Sequence, residues 1–223
     1  LDLVNQVHNL LENDLNVIVY NFVDMVSHAK TEMEVLKELA SNDKGYRSLT
    51  KSWFQNSPLL EIIQQAKELN SLLLDKGVRP IFLKGTGNLI ADLYVNVAER
   101  MVGDIDFILS KEDYSKAIAI LREFGYSEVE KRGYYSPSEH RHYRRLKKEN
   151  NIAAIEIHSE ILGIEKYRRE FNYSVVEKDS QVINEVRVLS YANKLNLSII
   201  ANQINDYGFE YKTMALRNAY DIF

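Results

Sequence analysis

Two aspartates, Asp104 and Asp106, stand one residue apart in the short apolar segment that ends at Leu109. If this segment is a strand, its side chains alternate, so both carboxylates project from one face while Ile105 and Phe107 face the other way. Two carboxylates on one face repel each other unless a cation joins them, and Mg²⁺ prefers one or two carboxylates together with phosphate oxygens. The pair therefore predicts a metal site. The alternative is an exposed strand end whose aspartates are solvated or cap the next turn.

A glycine-containing turn precedes this segment. Lys84-Gly85-Thr86-Gly87 follows the apolar run 80–83 and leads into a helical pattern, which Thr86 is predicted to cap. Glycines let the backbone approach a phosphate closely, and the N–H groups at the start of a helix attract anions. The turn therefore predicts a phosphate-binding element, although most turns of this composition are only turns.

A third segment, Ile155-Glu156-Ile157-His158, follows later in the chain. Glu156 and His158 share one face of the expected strand. If that strand neighbours the first, Glu156 completes a three-carboxylate site. A metal-bound carboxylate or His158 could then accept the proton of an alcohol nucleophile. The alternatives are a hydrogen-bonded structural histidine and a solvated glutamate on an edge strand.

Basic residues cluster between positions 131 and 148, where tyrosines are interleaved with them. The set comprises Lys131, Arg132, Arg141, Arg144, Arg145, Lys147 and Lys148, with Tyr134, Tyr135 and Tyr143 among them. Beside the carboxylates, these residues could neutralise a triphosphate or guide a polyanionic acceptor, and Arg144 is the one we expect to support the site. A solvated edge strand protected by its charge explains the same pattern. Arg100, just before the aspartate pair, could bind a carboxylate or a phosphate, and so could Lys84.

The surrounding periodicity predicts the elements that must position these groups. Residues 1–56 read as helical, 57–160 as a mixed α/β core, and 161–223 as helical again. Within the core we expect a helix from Ser57-Pro58 to Gly77, strands at 80–83 and 104–109, and a helix that begins after Ser110 and closes at Gly125. A third strand at 126–130 and a hairpin pairing 140–147 with 152–158 follow. Helices are expected over 86–94, 189–204 and 214–223.

The composition excludes several classes of function. The 223 residues carry a formal net charge of −4, so any binding of nucleic acid requires a local basic patch. The absence of cysteine excludes disulfides, thiolate catalysis and cysteine-ligated metals. No apolar run approaches the roughly 18 residues needed to cross a bilayer, and no signal peptide is recognisable. These features predict a cytoplasmic protein with no membrane partner.

Taken in order, Leu83-Lys84-Gly85, then Arg100 with Gly103-Asp104-Ile105-Asp106-Phe107, then Ile155-Glu156-Ile157-His158 resemble the bacterial uncharacterised nucleotidyltransferase family. This family lies within the polymerase-beta-type nucleotidyltransferase superfamily. In that superfamily a Gly-Ser turn contacts the nucleotide phosphates, a D-x-D strand binds metal, and a later strand carries a third acid. This chain has Thr86 in place of the serine and a glutamate as the third acid.

The resemblance implies an α+β fold, with a small mixed or antiparallel sheet flanked by helical segments. It also implies metal ligation and catalysis by Asp104, Asp106 and Glu156, and nucleotide binding by Lys84, Gly85, Thr86 and Arg100. The implied cofactor is Mg²⁺, or Mn²⁺ in its place. The implied reaction transfers a nucleoside monophosphate from a nucleoside triphosphate to a hydroxyl of a small molecule, a protein or an RNA, as a toxin-like transferase would also do. The alternative is a non-catalytic nucleotide-binding or protein-interaction module that keeps a degenerate form of the fold.

Overall fold

A computed structural model describes residues 58–95, 97, 100, 102–129, 141–213, 215, 218 and 221. The predictions for residues 1–57, for 130–140 and for most of 214–223 lie outside these residues. The described helices are α1 (Pro58–Asp75), α2 (Lys84–Ile90), α3 (Lys111–Glu123), α4 (Tyr173–Lys178), α5 (Tyr191–Ile200) and α6 (Gly208–Tyr211). A 3-10 turn spans Glu165–Tyr167, and a π-helical turn, Ala201–Asn205, continues α5.

Seven described strands form one mixed sheet in the order β3-β4-β5-β2-β1-β7-β6. They are β1 (Ile81–Phe82), β2 (Asp104–Ile108), β3 (Ser127–Glu128), β4 (Leu146–Lys147), β5 (Ala154–His158), β6 (Gln181–Ile183) and β7 (Val186–Val188). Strand β2 pairs in parallel with β5 and antiparallel with β1, so it lies inside the sheet. The predicted α+β fold with a small mixed sheet is confirmed.

Two faces of β2 and β5 have opposite character. Ile105, Phe107, Ile155 and Ile157 are fully buried and belong to the main apolar core, to which α1 contributes Leu69 and Leu73 among others. Because side chains alternate along a strand, the residues between these apolar ones project from the other face. The apolar face ties the strands to the core, and the second face is left for polar groups.

Local signals in the sequence explain where the helices begin and end. The Ser110 side chain accepts a hydrogen bond from the Asp113 backbone N–H at 3.1 Å and so caps α3, as predicted. Gly77 and Gly125, which follow α1 and α3, have φ values of 70° and 87°, a left-handed conformation that favours glycine. These stops set the positions at which the chain enters β1 and β3.

Residues 161–223 were expected to form a helical segment, but their described part also contains two strands. Strands β6 and β7 form an antiparallel hairpin there, and β7 pairs in parallel with β1. The turn residues Asn184 and Glu185 both have positive φ, 50° and 69°, as a tight two-residue hairpin turn requires. The valines beside the turn were the signal for strands, but Asn-Glu is a weaker hairpin signal than Asn-Gly.

The chain divides into two compact units, and the sheet with its candidate site belongs to the one that spans Ser48–Lys194. The described part of the other unit begins at Leu195. Within it, the Asn218 side-chain amide donates to the backbone carbonyl of Ser198 at 3.0 Å. In the portion of the chain described, no helix has both the length and the apolar character needed to span a membrane.

Candidate functional site

The register between β2 and β5 brings the predicted acidic residues side by side. Asp106 lies opposite Glu156, Asp104 opposite Ala154, and Ile108 opposite His158. In a parallel pair, opposite residues project from the same face, so Asp104, Asp106, Glu156 and His158 share the polar face of the two strands. The side chains of Asp106 and Glu156 are only 10% and 12% exposed, so most of their water has been replaced by protein.

Arg145 joins two of these carboxylates. Its Nη2 donates to Asp104 Oδ2 at 2.6 Å, and its Nε donates to Glu156 Oε1 at 2.7 Å. The reason lies in the hairpin between β4 and β5: Leu146 pairs with Ile155 and is fully buried on the core face. Alternation therefore places the preceding residue, Arg145, on the carboxylate face.

Lys84 supplies the second cation of the site. Its ammonium donates to Asp106 Oδ1 at 2.5 Å and lies 3.9 Å from Glu156 Oε2. Because β1 runs antiparallel to β2, the chain that leaves β1 at Leu83 passes alongside Asp106, whose carbonyl accepts from the Leu83 N–H. Lys84 has a φ of 50°, an uncommon left-handed conformation for a non-glycine residue and a form of strain found at functional sites.

His158 contacts the same oxygen of Asp106. Its Nε2 lies 2.8 Å from Oδ1, a geometry in which a neutral imidazole donates its Nε2 proton to the carboxylate. The other ring nitrogen, Nδ1, is buried without a hydrogen-bond partner among the described residues, and the His142 ring lies 5.2 Å away, centroid to centroid. His158 therefore supports Asp106 directly, and its expected place beside the carboxylates is where the structure puts it.

Burial and charge pull the acidities of these groups in different directions. Burial raises the pKa of Asp104, an effect that Arg145 opposes and the neighbouring carboxylates reinforce. Burial alone would also raise the pKa of Asp106, but Lys84 and the His158 hydrogen bond together hold it below its usual range. Burial lowers the pKa of His158 in spite of the neighbouring Asp106. The result is an ionised Asp106 beside a neutral imidazole at neutral pH.

The glycine turn packs tightly against the start of the aspartate strand. A Cβ on Gly85 would lie 2.6 Å from Val102 Cγ2 and 3.5 Å from the Arg100 guanidinium carbon. A Cβ on Gly87 would lie 2.7 Å from the backbone oxygen of Phe82. Both positions therefore need glycine for close approach, the first to side chains and the second to backbone.

Thr86 has a different role from the expected helix cap. Helix α2 begins two residues earlier, at Lys84, with Leu83 in the capping position and no side-chain cap. Thr86 is fully buried, and its hydroxyl donates to the Asp104 backbone carbonyl at 3.0 Å. The cap prediction was wrong because the helix starts immediately after β1. Thr86 ties the turn to β2 instead.

Arg144, the basic residue expected to support the site, lies elsewhere. Its Nη1 pairs with Glu128 Oε2 at 3.2 Å, and its side chain is 69% exposed. Its neighbour Arg145 occupies the position beside the carboxylates. The sequence held a signal for this difference, because a hairpin that places Leu146 in the core also places Arg145, and not Arg144, on the side of Glu156.

The donor groups fit a divalent cation. Asp106, Glu156 and His158 each offer one ligand atom, and these atoms lie within 4.8 Å of one another. Asp104, which was predicted as a ligand in the place that His158 takes here, is linked to Glu156 through Arg145. Carboxylate oxygens suit Mg²⁺ or Mn²⁺, and an imidazole nitrogen suits Mn²⁺ better than Mg²⁺.

The sequence of the chain matches one known protein family. A sequence model of a family described as uncharacterised nucleotidyltransferase matches residues 30–223, which include every strand of the sheet and every residue of the site. No curated protein matches the chain, and no solved structure matches it.

Proposed function

This chain belongs to the uncharacterised nucleotidyltransferase family, and we propose that it transfers a nucleoside monophosphate from a nucleoside triphosphate to an acceptor hydroxyl. The observation that carries the proposal is the convergence of Asp104, Asp106 and Glu156 on one face of two parallel strands. Three carboxylates held together on a rigid sheet are costly without a role, because each raises the energy of ionising the others.

The reaction has a simple balance. The acceptor oxygen attacks the α-phosphorus of the triphosphate and forms a new P–O bond. The bond between the α-phosphorus and its bridging oxygen breaks, and pyrophosphate leaves. The hydroxyl proton passes to a carboxylate of the cluster or to His158. Because His158 Nε2 is already engaged with Asp106, a carboxylate is the better-placed acceptor.

A divalent cation, Mg²⁺ or Mn²⁺, would be held by Asp106 and Glu156, with Asp104 on the same face as the third carboxylate. When bound, it neutralises phosphate charge and lowers the pKa of a coordinated hydroxyl. His158 keeps the Asp106 carboxylate oriented. Lys84 is close enough to its carboxylates to contribute a positive charge to the same face.

The glycine turn is proposed to receive the phosphates. Gly85 lets the backbone lie close to the guanidinium of Arg100, and the Thr86 hydroxyl holds this turn against β2. In this arrangement Thr86 acts on nucleotide binding through the position of the turn, while Lys84, Gly85 and Arg100 face the phosphates. The acceptor can be a small molecule, a protein side chain or an RNA end, because the fold does not determine it.

The test is transfer of label in a cell extract. The protein is incubated with Mg²⁺, the extract and each nucleoside triphosphate in turn, labelled either at the α- or at the γ-phosphate. We expect a product labelled from the α-position only, and none with Asp106→Asn. Label from the γ-position would indicate phosphoryl transfer instead. Absence of label with every nucleotide would favour the alternative, a non-catalytic binding module of the same fold.

A further inference from the structure

Arg145 occupies a position that a cation could otherwise take. It is hydrogen-bonded to Asp104 Oδ2 and to Glu156 Oε1 at the same time, so its guanidinium spans two different carboxylates. Glu156 Oε2, the other oxygen of that residue, has only longer contacts among the described residues, 3.9 Å to Lys84 and 4.0 Å to His158. Arg145 thus uses one oxygen from each of two residues that are proposed to bind metal.

Charge at the site is already partly balanced without metal. Among the described residues, Lys84 is ion-paired with Asp106, and Arg145 with Asp104 and Glu156, so three carboxylates share these two cations. A divalent cation added to this cluster meets a repulsive guanidinium next to its ligands. At separations of a few ångström, a like charge weakens cation binding substantially even when water screens it.

Of the groups that hold the carboxylates, Arg145 is the one most able to leave. Its side chain is 43% exposed, against 33% for Lys84 and 2% for His158. It also extends from the residue just before β4, a strand of only two residues. The planar fork of a guanidinium binds phosphate in the same bidentate way as carboxylate, so a triphosphate offers Arg145 an equivalent partner.

We propose that Arg145 is a displaceable counter-ion: it bridges Asp104 and Glu156 while the site is free of nucleotide, and it transfers to the phosphates of the incoming triphosphate. This inference rests on the proposed function. Its consequence is that cation and triphosphate binding are coupled, because the phosphates remove the group that competes with the cation. The free protein then has a weak cation site, and the strong site forms together with bound triphosphate.

The experiment measures the affinity of the full chain for each of two ligands, in separate calorimetric titrations. Mn²⁺ is titrated into nucleotide-free protein, and inorganic triphosphate is titrated into metal-free protein. For Arg145→Gln we expect Mn²⁺ to bind about tenfold tighter and triphosphate to bind several-fold weaker, the usual scale for coupling between neighbouring sites. If Arg145 had a purely structural role, its loss would weaken the binding of both ligands. Opposite changes in the two affinities therefore distinguish the proposal from a structural role.

Arg144→Gln is the matched control, because it removes the same charge one residue away, where the partner is Glu128. Its affinities for both probes should stay within about twofold of wild type, since exposed charges are well screened. If Arg144→Gln matches Arg145→Gln, the effect is one of net charge and the proposal fails. It also fails if Arg145→Gln binds Mn²⁺ with wild-type affinity.

A second variant guards against misfolding of Arg145→Gln. Arg145→Lys keeps the charge but replaces the fork by a single ammonium, which cannot bridge both carboxylates in the same way. We expect a smaller gain in Mn²⁺ affinity, about threefold. Wild-type affinity in this folded variant would overturn the proposal. If neither wild type nor any variant binds Mn²⁺, the metal site of the proposed function is refuted. If wild type binds Mn²⁺ and the Arg145 variants bind it equally well, only the role of Arg145 is refuted.

Discussion

At the scale of single residues, the site depends on the cationic and imidazole side chains that hold its carboxylates in place. Asp106 Oδ1 accepts from both Lys84 and His158, whereas Asp104 and Glu156 share Arg145. The pattern of carboxylates was predictable, because the two-residue period of a strand places Asp104 and Asp106 on one face. The cation that bridges Asp104 and Glu156 was not identified, since it depends on the register of the β4–β5 hairpin.

Lys84 gives a prediction about backbone strain. Lys84→Gly and Lys84→Ala both remove the ammonium, but only glycine adopts a φ near 50° without steric cost. We expect the glycine variant to be the more stable by about 1 kcal/mol in denaturant unfolding. Both variants should lose affinity for triphosphate to a similar extent. Equal stability of the two would show that the left-handed conformation carries no cost.

Lys194, on α5, gives a prediction about pH. Burial lowers its pKa to about 8, and its ammonium has no hydrogen-bond acceptor within the described residues, although it lies 5.0 Å from the centroid of the Tyr191 ring. The unfolded chain holds the proton up to a higher pH than the folded chain. The free energy of unfolding should therefore rise as the pH increases from about 8 towards 10.5.

The variant Lys194→Met tests this reasoning, because it fills similar space without a charge. Unfolding by urea at several pH values should show that the variant is more stable than wild type at pH 7, and that its stability no longer rises across the alkaline window through this group. Lys212→Met, at an exposed position, is the control and should keep the wild-type pH dependence. A rise of unchanged size in Lys194→Met would rule out the assignment.

At the scale of elements, the start of α2 is shaped by what it packs against. The strand β1, the strand β2 and the α3 cap were predicted from apolar runs and from Ser110 with Asp113, and the structure confirms them. The start of α2 was not predicted correctly, because the capping signal at Thr86 is outweighed by its hydrogen bond to β2. Local sequence does not reveal a partner that is distant along the chain.

Gly85 and Val102 form a pair whose coupling can be measured. Gly85→Ala should destabilise the protein, because the added Cβ would lie 2.6 Å from Val102 Cγ2. Val102→Ala removes the obstructing methyl groups, so the double variant should recover part of the loss, with a coupling of about 1 kcal/mol. Gly87→Ala, which meets the backbone oxygen of Phe82, should gain nothing from Val102→Ala. Strict additivity at positions 85 and 102 would contradict the packing.

At the scale of the whole molecule, the sheet uses its two faces differently. One face of β2 and β5 packs into the apolar core, and the other face carries the candidate site. Phe107 is fully buried, and its ring lies 5.6 Å from the Phe82 ring, centroid to centroid, on the face opposite Asp106. The sequence predicted this division, because alternation in the aspartate strand requires it. The place of β6 and β7 at the far edge of the same sheet could not be predicted from short apolar runs that fit a helix almost as well.

Phe107→Leu tests the separation of faces. It should lower the midpoint of thermal unfolding by about 2–4 °C for a loss of about 1 kcal/mol in a chain of this size. The affinity of the folded protein for Mn²⁺ should stay within about twofold of wild type, because no atom of the carboxylate face is removed. A tenfold loss of Mn²⁺ affinity would show that the two faces are coupled through the sheet.

The most direct test of the metal-dependent site is calorimetric titration of nucleoside triphosphate, with and without Mg²⁺, into wild type and Asp106→Asn. Asp75→Asn, at the exposed end of α1, serves as the control. We expect Mg²⁺ to strengthen nucleotide binding to wild type and to Asp75→Asn, and we expect Asp106→Asn to bind nucleotide at least about tenfold more weakly in the presence of Mg²⁺. Equal binding of Mg²⁺ and nucleotide by wild type and Asp106→Asn would contradict this prediction.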